Sequence, residues 1–208
     1  MKIKQSIIII LLGALALEAQ VNLTQKQETY MAKEYHATPC TDAKLVQEFH
    51  ALQDKLHIIP HAQLFETDKA PSSLPPNTIA FYTSGVKCVA IVKNKFYKYP
   101  KLYQTQVLYH ELRHHMQATT AAAQQSVAAY SSAQWLSKQQ AKEFDADIFG
   151  IQQATNNCPK CMKELKHYFE ATKPVLFKYH GYATQQDFKP LIKAAEENPN
   201  FCQKHATI

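Results

Sequence analysis

The sequence of 208 residues lacks the features that mark several common classes of protein. Beyond its N-terminal segment, no uncharged run approaches the roughly 20 apolar residues that a membrane-spanning helix needs. The net charge is +6, but the lysines are scattered rather than clustered, so the composition gives little support for nucleic-acid binding. No internal repeat is visible. These absences predict a mildly basic protein of one domain, without a stable membrane span and without a nucleic-acid partner.

The N-terminal segment has the pattern of a secretory signal peptide. Met1 to Lys4 is basic, an uncharged apolar run follows from Ile7 to Leu17, and Ala19 offers a cleavage site. The apolar run is too short to span a bilayer, and no cysteine follows it closely enough to indicate a lipoprotein. We therefore expect a secreted or periplasmic protein from which residues 1–19 are removed. A retained N-terminal membrane anchor is the alternative.

The rest of the chain divides into a lead-in and a single domain. Residues 20–40 are polar and rich in Gln and Lys, which predicts either a mobile segment or a loosely docked helix. Residues 41–208 form the domain. Its first helix is predicted to be capped by Thr41. The apolar stripe of that helix consists of Leu45, Val46, Phe49, Leu52 and Leu56.

A small sheet is predicted next. Residues 64–77 are rich in Pro and Ser and predict a loop, and the β-rich runs 78–83 and 87–92 then flank Ser84-Gly85 in a hairpin pattern. A third short β-rich run covers residues 95–99. An exposed edge of such a sheet can pair with an extended polypeptide substrate, and a purely supporting sheet is an equal alternative.

The most informative stretch is His110-Glu111-Leu112-Arg113-His114. Residues four apart lie on the same face of a helix, so His110 and His114 can present two imidazole nitrogens to one metal ion, and nitrogen ligands suit zinc. Glu111 lies about 100° around the helix axis, beside the ion, where a general base for peptide hydrolysis belongs. A chance match within a chain of ten histidines is the alternative. The opposite side of this helix is predicted to be buried through Leu108, Leu112 and Met116.

A catalytic zinc site has three protein ligands, so a third must come from elsewhere. Glu143 and Asp147 are again four apart, in a segment with helical periodicity. One carboxylate can bind the metal while the other holds a ligand histidine through its second ring N–H. Taken alone, the segment predicts an exposed acidic face, but beside the first motif we favour the metal site. Asp145 lies about 200° around the helix from Glu143 and is expected to be in solvent.

The first motif followed by Glu143-x-x-Ala146-Asp147 resembles the gluzincin zinc metallopeptidases, particularly the HtpX and CaaX-prenyl-endopeptidase family. The resemblance covers about 40 residues. It implies one catalytic zinc ion bound by His110, His114 and Glu143, with Glu111 as the base and Asp147 holding a ligand histidine. Arg113 departs from that family, which usually has a small residue at this position, and the interval between the motifs is shorter than is usual there.

Together these patterns predict an α+β, helix-dominated, zincin-like metallopeptidase domain with a small hairpin or sheet before the motif helix. The expected function is a secreted, zinc-dependent peptidase in which a glutamate base and a metal-activated water hydrolyse polypeptides. A catalytically inactive zinc-binding or envelope-structural protein is the alternative. His180 is our first candidate for the oxyanion donor and His167 the second, although a surface histidine explains either equally well.

Five cysteines are present, and in an exported protein we expect two disulfides with one thiol left over. Their connectivity is open at this point. The alternative is a closed zinc site formed by Cys158, Cys161, Cys202 and His205.

Overall fold

The computed structural model describes residues 24–134, 138–156 and 158–176. Helices make up most of these ranges, and the strands form one small mixed sheet, so the expected α+β, helix-dominated fold is confirmed. The predicted signal peptide, residues 1–19, and His180 lie outside the described residues. Among the helices that are described, none is long and apolar enough to cross a bilayer.

The chain builds its sheet in its first half and a helical layer in its second half. The first half contains α1 (residues 24–35), β1 (Thr38–Pro39), α2 (Ala43–Lys55), β2 (Gln63–Thr67), β3 (Ala80–Thr83) and β4 (Cys88–Val92). The second half contains α3 (Lys93–Phe96), α4 (Lys101–Thr119), α5 (Ala121–Gln134), α6 (Lys138–Ala154) and α7 (Pro159–Leu176).

The sheet has the strand order β1-β2-β4-β3. The predicted hairpin is present as the antiparallel pair of β3 and β4, with Phe81 opposite Ala90. Strand β2 runs parallel to β4 on its other side, with Phe65 opposite Ala90, and β1 is antiparallel to β2. All five residues of β4 are buried because this strand has neighbours on both edges and side chains packed on both faces, which accounts for its continuous apolar sequence.

Three local expectations are wrong. Gln63–Thr67 is strand β2, although residues 64–67 fell in the predicted loop, because its apolar side chains are buried in the sheet. Residues 95–99 are not a strand but the end of α3 and a turn, because the fully buried side chain of Phe96 and local main-chain hydrogen bonds outweigh the strand propensity of the aromatic residues. The cap of α2 is Asp42, which accepts the N–H of Leu45 at 3.0 Å.

The lead-in is a docked helix in the part that the structure describes. Met31 of α1 is fully buried and packs with Phe65 and Phe81 on one face of the sheet. Gln27 donates from its amide to the carbonyl of Val86 at 2.8 Å, which ties α1 to the β3–β4 turn. Of the two alternatives for this segment, the structure therefore has the helix.

The main core lies on the other face of the sheet, against the helices. Val89 and Ile91 of β4 belong to this core, whereas Cys88 and Ala90 belong to the cluster under α1, because successive residues of a strand face opposite sides. The α4 residues in the main core include those that the sequence predicted to be buried, Leu108, Leu112 and Met116.

Helices α4 and α6 meet in backbone contact, and Gly150 is the residue that permits it. A Cβ atom at position 150 would lie 2.8 Å from the main-chain oxygen of Gln106 and 3.3 Å from the main-chain nitrogen of His110. No side chain fits at that separation unless one of the backbones moves. The close approach brings the two turns of α6 before Gly150 against the histidine-bearing part of α4.

Replacement of Gly150 by alanine tests this contact. Alanine has the better helix propensity by about 1 kcal/mol, but overpacking against a backbone costs about 1–3 kcal/mol, so we expect Gly150→Ala to be less stable than the parent. Gly85→Ala is the matched control, because its Cβ would be 3.7 Å from the nearest atom, the hydroxyl oxygen of Tyr30. Denaturant unfolding of both variants measures the difference. Equal stability of the two would contradict the backbone contact.

Candidate metal centre

His110, His114 and Glu143 meet at the interface of α4 and α6. The Nε2 atoms of the two histidines are 3.0 Å apart. The Oε2 atom of Glu143 lies 3.5 Å from Nε2 of His110 and 3.4 Å from Nε2 of His114. The three atoms thus form a nearly equilateral triangle whose members come from one turn of α4 and one side chain of α6.

The size of this triangle fits a metal ion. Ligand atoms that bind a tetrahedral ion through bonds of 2.0–2.1 Å lie roughly 3.3–3.4 Å from one another. The observed separations of 3.0, 3.4 and 3.5 Å bracket that value. Among the described residues, this is the group of histidine and carboxylate side chains that can hold a metal ion.

The second nitrogen of each histidine is already engaged. Nδ1 of His110 lies 2.7 Å from Oδ1 of Asp147, and Nδ1 of His114 lies 2.9 Å from Oε1 of Gln117. Both partners are acceptors, so Nδ1 carries the proton in each ring and Nε2 presents its lone pair. The Nε2 lone pairs of the two histidines and the carboxylate of Glu143 therefore face one another. Such a group of electron-rich atoms requires a positive charge between them.

The pKa values of these groups have the same cause. Burial lowers the pKa of His110, but the carboxylates of Asp147, Glu143 and Glu111 outweigh burial and raise it well above its usual range. Burial likewise lowers the pKa of His114. Glu143 and Glu111 outweigh burial, so this pKa also lies above its usual value. For Glu143, burial raises the pKa, and the two histidines bring it far below its usual range. Without a metal, protons supply the positive charge, so a metal ion that bound here would have to displace them.

Glu111 is buried beside the two histidines, with 6% of its surface exposed. Its charge raises the pKa values of both rings, although its carboxylate is not part of the ligand triangle. A carboxylate placed in this way can exchange a proton with a molecule bound at the centre without occupying a ligand position. The arrangement thus separates one carboxylate that belongs to the ligand triangle, Glu143, from a second that lies outside it, Glu111.

Asp145 is not in solvent, contrary to expectation; its side chain is 1% exposed. Arg113 donates to it through Nε at 2.7 Å and through Nη2 at 3.0 Å, and the hydroxyl of Ser126 on α5 donates to it as well. The helical wheel correctly separated Asp145 from Glu143, but it could not reveal that α5 covers that side of α6. Arg113, which stands where the HtpX and CaaX-prenyl-endopeptidase family usually has a small residue, is the partner of this carboxylate.

Removal of Asp145 should be far more damaging than removal of an exposed ion-pair partner. Breaking a buried pair leaves one uncompensated charge and costs about 3–5 kcal/mol, so we expect Asp145→Ala to be strongly destabilised or unfolded. Asp68→Ala is the control, since Asp68 is 81% exposed and pairs with Lys93 at 3.3 Å; a surface pair is worth about 0–1 kcal/mol. Denaturant unfolding measures both. A loss for Asp145→Ala as small as that for Asp68→Ala would refute the buried pair.

The remaining candidates from the sequence lie apart from this centre. His167 is exposed on α7, as a surface histidine would be. Cys158 and Cys161 form a disulfide, so neither offers a thiolate to a four-ligand zinc site, and Cys202 and His205 lie outside the described residues. Cys40 and Cys88 are free thiols. One disulfide, rather than two, is thus present in the described part of the chain.

Comparison with known proteins adds no relative. No family model, no curated protein and no solved structure matches this chain. The local geometry of the centre is therefore the basis on which function is argued.

The sequence analysis missed the role of Gln117 at this centre. Gln117 lies three residues after His114, on the same side of α4, and this spacing is the signal that could have revealed the contact.

Proposed function

We propose that this protein is a secreted, zinc-dependent peptidase of gluzincin type. The observation that carries the proposal is the convergence of the two Nε2 atoms and the Glu143 carboxylate, with a buried Glu111 beside them. A structural zinc site is closed by four protein ligands, whereas a catalytic site has three and keeps a position open. Within the residues that the structure describes, the group on α4 and α6 has three ligands, which is the composition of a catalytic site.

The donor set favours zinc over other divalent ions. Two imidazole nitrogens and one carboxylate oxygen suit zinc, whereas magnesium and calcium prefer oxygen ligands alone. The triangle of donor atoms has the dimensions of one face of a tetrahedron. When bound, zinc supplies a Lewis acid that activates water and polarises a substrate carbonyl.

Each residue of the centre has a separate role in the proposed reaction. His110, His114 and Glu143 would hold the ion, and Asp147 accepts the Nδ1–H of His110 and so orients its ring. Glu111 takes a proton from the attacking water and returns it to the departing amine nitrogen. Glu111 is buried, and its charge acts on both histidines, which is why we assign the proton transfer to this carboxylate.

The sheet supports a polypeptide as the substrate class. Strand β3 forms one edge of the sheet, and it packs directly against α4, which bears the histidines. An extended peptide that adds to this edge through main-chain hydrogen bonds would lie along the strand that packs on the histidine-bearing helix. Recognition through the main chain also leaves the peptide's side chains free to vary.

Glu111 provides the test of hydrolysis. The mature parent should bind about one zinc ion per chain and cleave unstructured polypeptides, since three ligands and a base are present. Glu111→Gln should keep its zinc and lose about 10²–10⁴-fold in turnover, because the base is removed and the ligands remain. Glu164→Gln, at an exposed position of α7, is the control and should match the parent. Metal analysis and peptide cleavage are measured on the same samples.

Two results would contradict the proposal in different ways. A parent that binds zinc without Glu111-dependent cleavage would be the catalytically inactive zinc-binding protein that the sequence left as the alternative. A parent that binds no zinc after removal of its metals and reloading would refute the metal centre itself.

The roles of the two carboxylates on α6 are separable by zinc titration. Glu143→Ala removes a ligand and should abolish tight binding, whereas Asp147→Ala removes only the acceptor of His110 and should weaken binding about 10–100-fold. Competition with a chelator of known affinity measures both constants. The assignment of Glu143 as the ligand would be wrong if Asp147→Ala lost zinc while Glu143→Ala retained the affinity of the parent.

A further inference from the structure

We propose that Gln117 is a positioning residue for His114, and that its side-chain amide is held in a single orientation by Asp145 and by the main chain of α6. The inference rests on the proposed function and deepens it, since it concerns what prepares the second histidine to bind metal. It also gives the Arg113–Asp145 pair a role at the metal centre, although neither residue is a metal ligand.

The side-chain amide of Gln117 forms hydrogen bonds through both its oxygen and its nitrogen, and each bond has a different partner. Its Oε1 lies 2.9 Å from Nδ1 of His114. Its Nε2 donates to the carbonyl oxygen of Lys142 at 2.9 Å and to Oδ2 of Asp145 at 2.8 Å. An amide nitrogen carries two hydrogens, and both are used. The side chain is 6% exposed, so water does not compete for these groups.

These partners allow only one orientation of the amide. Rotation by 180° would turn the amide oxygen towards the carbonyl of Lys142 and the carboxylate of Asp145, both of which are acceptors. Asp145 cannot turn away, because Arg113 holds both of its oxygens in a fork and Ser126 donates to one of them. The amide oxygen must therefore face His114.

The orientation of the amide decides which nitrogen of His114 is available to metal. An acceptor beside Nδ1 requires that Nδ1 carry the proton, which leaves the lone pair on Nε2, directed towards Glu143 at 3.4 Å. The chain of contacts runs from Arg113 through Asp145 and Gln117 to His114 and joins α4 to α6, and the hydrogen bond from Ser126 to Asp145 adds α5. We infer that the second ligand is oriented by the same buried network that holds these helices together.

The two histidines differ in the charge of their acceptor. His110 donates to a carboxylate, Asp147, whereas His114 donates to a neutral amide. A glutamate at position 117 would offer an acceptor to His114, but it would lose both donors and place a second negative charge next to Asp145. If any acceptor were sufficient, Gln117→Glu would behave like the parent; if the amide is required, it would not.

The experiment compares Gln117→Met, Gln117→Glu and a control, Gln53→Met. Gln53 is a fully buried glutamine of α2 that makes two hydrogen bonds with the main chain of Ala62, away from the metal centre. Zinc affinity is measured by chelator competition under conditions in which each variant is folded, and the unfolding midpoint is measured in parallel. The metal-free parent is also labelled for NMR to observe the Nδ1–H of His114.

We expect both methionine variants to lose stability, because each loses buried hydrogen bonds. Only the variants at position 117 should lose zinc affinity, by about 10–100-fold, while Gln53→Met binds as the parent does. In the metal-free parent, Nδ1 of His114 should carry a proton that exchanges slowly with solvent. That exchange should become faster in Gln117→Met.

The outcomes separate this inference from the proposed function. Parent-like zinc affinity in Gln117→Met overturns the positioning role and leaves the metal centre intact, and parent-like affinity in Gln117→Glu overturns the requirement for an amide. A parent without zinc overturns the proposed function, and the NMR measurement then decides the inference alone. If the variants at position 117 do not fold, the same measurement on the parent decides it: absence of a protected proton on Nδ1 of His114 overturns the orientation that we propose.

Discussion

The buried ion pair of Arg113 and Asp145 is the interaction on which the arrangement of the second half of the molecule depends. Removing two charges from water costs free energy. The attraction between them offsets this cost only when the two groups are well aligned and further hydrogen bonds satisfy their remaining donors and acceptors. Here the Asp145 carboxylate accepts two hydrogen bonds from the guanidinium group of Arg113, one from the hydroxyl of Ser126 and one from the side-chain amide of Gln117. Any shift of α4, α5 or α6 would break part of this set, so the pair fixes the relative positions of the three helices.

Gly150 adds a steric constraint to this electrostatic one. The ion pair sets which sides of α4 and α6 face each other, and the glycine sets how closely their backbones approach near His110. Together they determine the distance from the histidines to Glu143, which is the quantity that a metal site needs to have correct to within a few tenths of an ångström. A difference of one methyl group at position 150 is therefore expected to affect the metal centre as well as the core.

The charges at the centre explain why it is suited to a cation. Glu111, Glu143 and Asp147 lie around two histidines in a largely buried space. Glu111 and Glu143 raise the pKa values of both rings, and Asp147 raises that of His110. A divalent ion would offset much of this negative charge and would separate the two Nε2 lone pairs. Glu111 is not a member of the ligand group, and the proposal of hydrolysis depends on this difference.

The sequence by itself determined the features that depend on the geometry of a single element. The spacing of His110 and His114, and that of Glu143 and Asp147, places each pair on one helix face, and the β3–β4 hairpin follows from two β-rich runs around a short turn. The spacing within one helix does not give the relation between the two helices. That relation was inferred from the need of a catalytic zinc site for a third ligand and from the resemblance of the paired motifs to gluzincins.

Tertiary structure alone decided which of those faces are covered. Asp145 lies on the side of α6 opposite to Glu143, as the helical wheel predicts, yet it is buried because α5 and Arg113 lie there. Strand β2 is likewise held by β4, which is distant from it in sequence. Helix α1 is held by the face of the sheet that carries Phe65 and Phe81. The role of Gln117 depends on three groups from two helices at once. Periodicity describes the position of a side chain on its own element, but the element that packs against it is set by long-range contacts, and these decide burial, hydrogen bonding and charge.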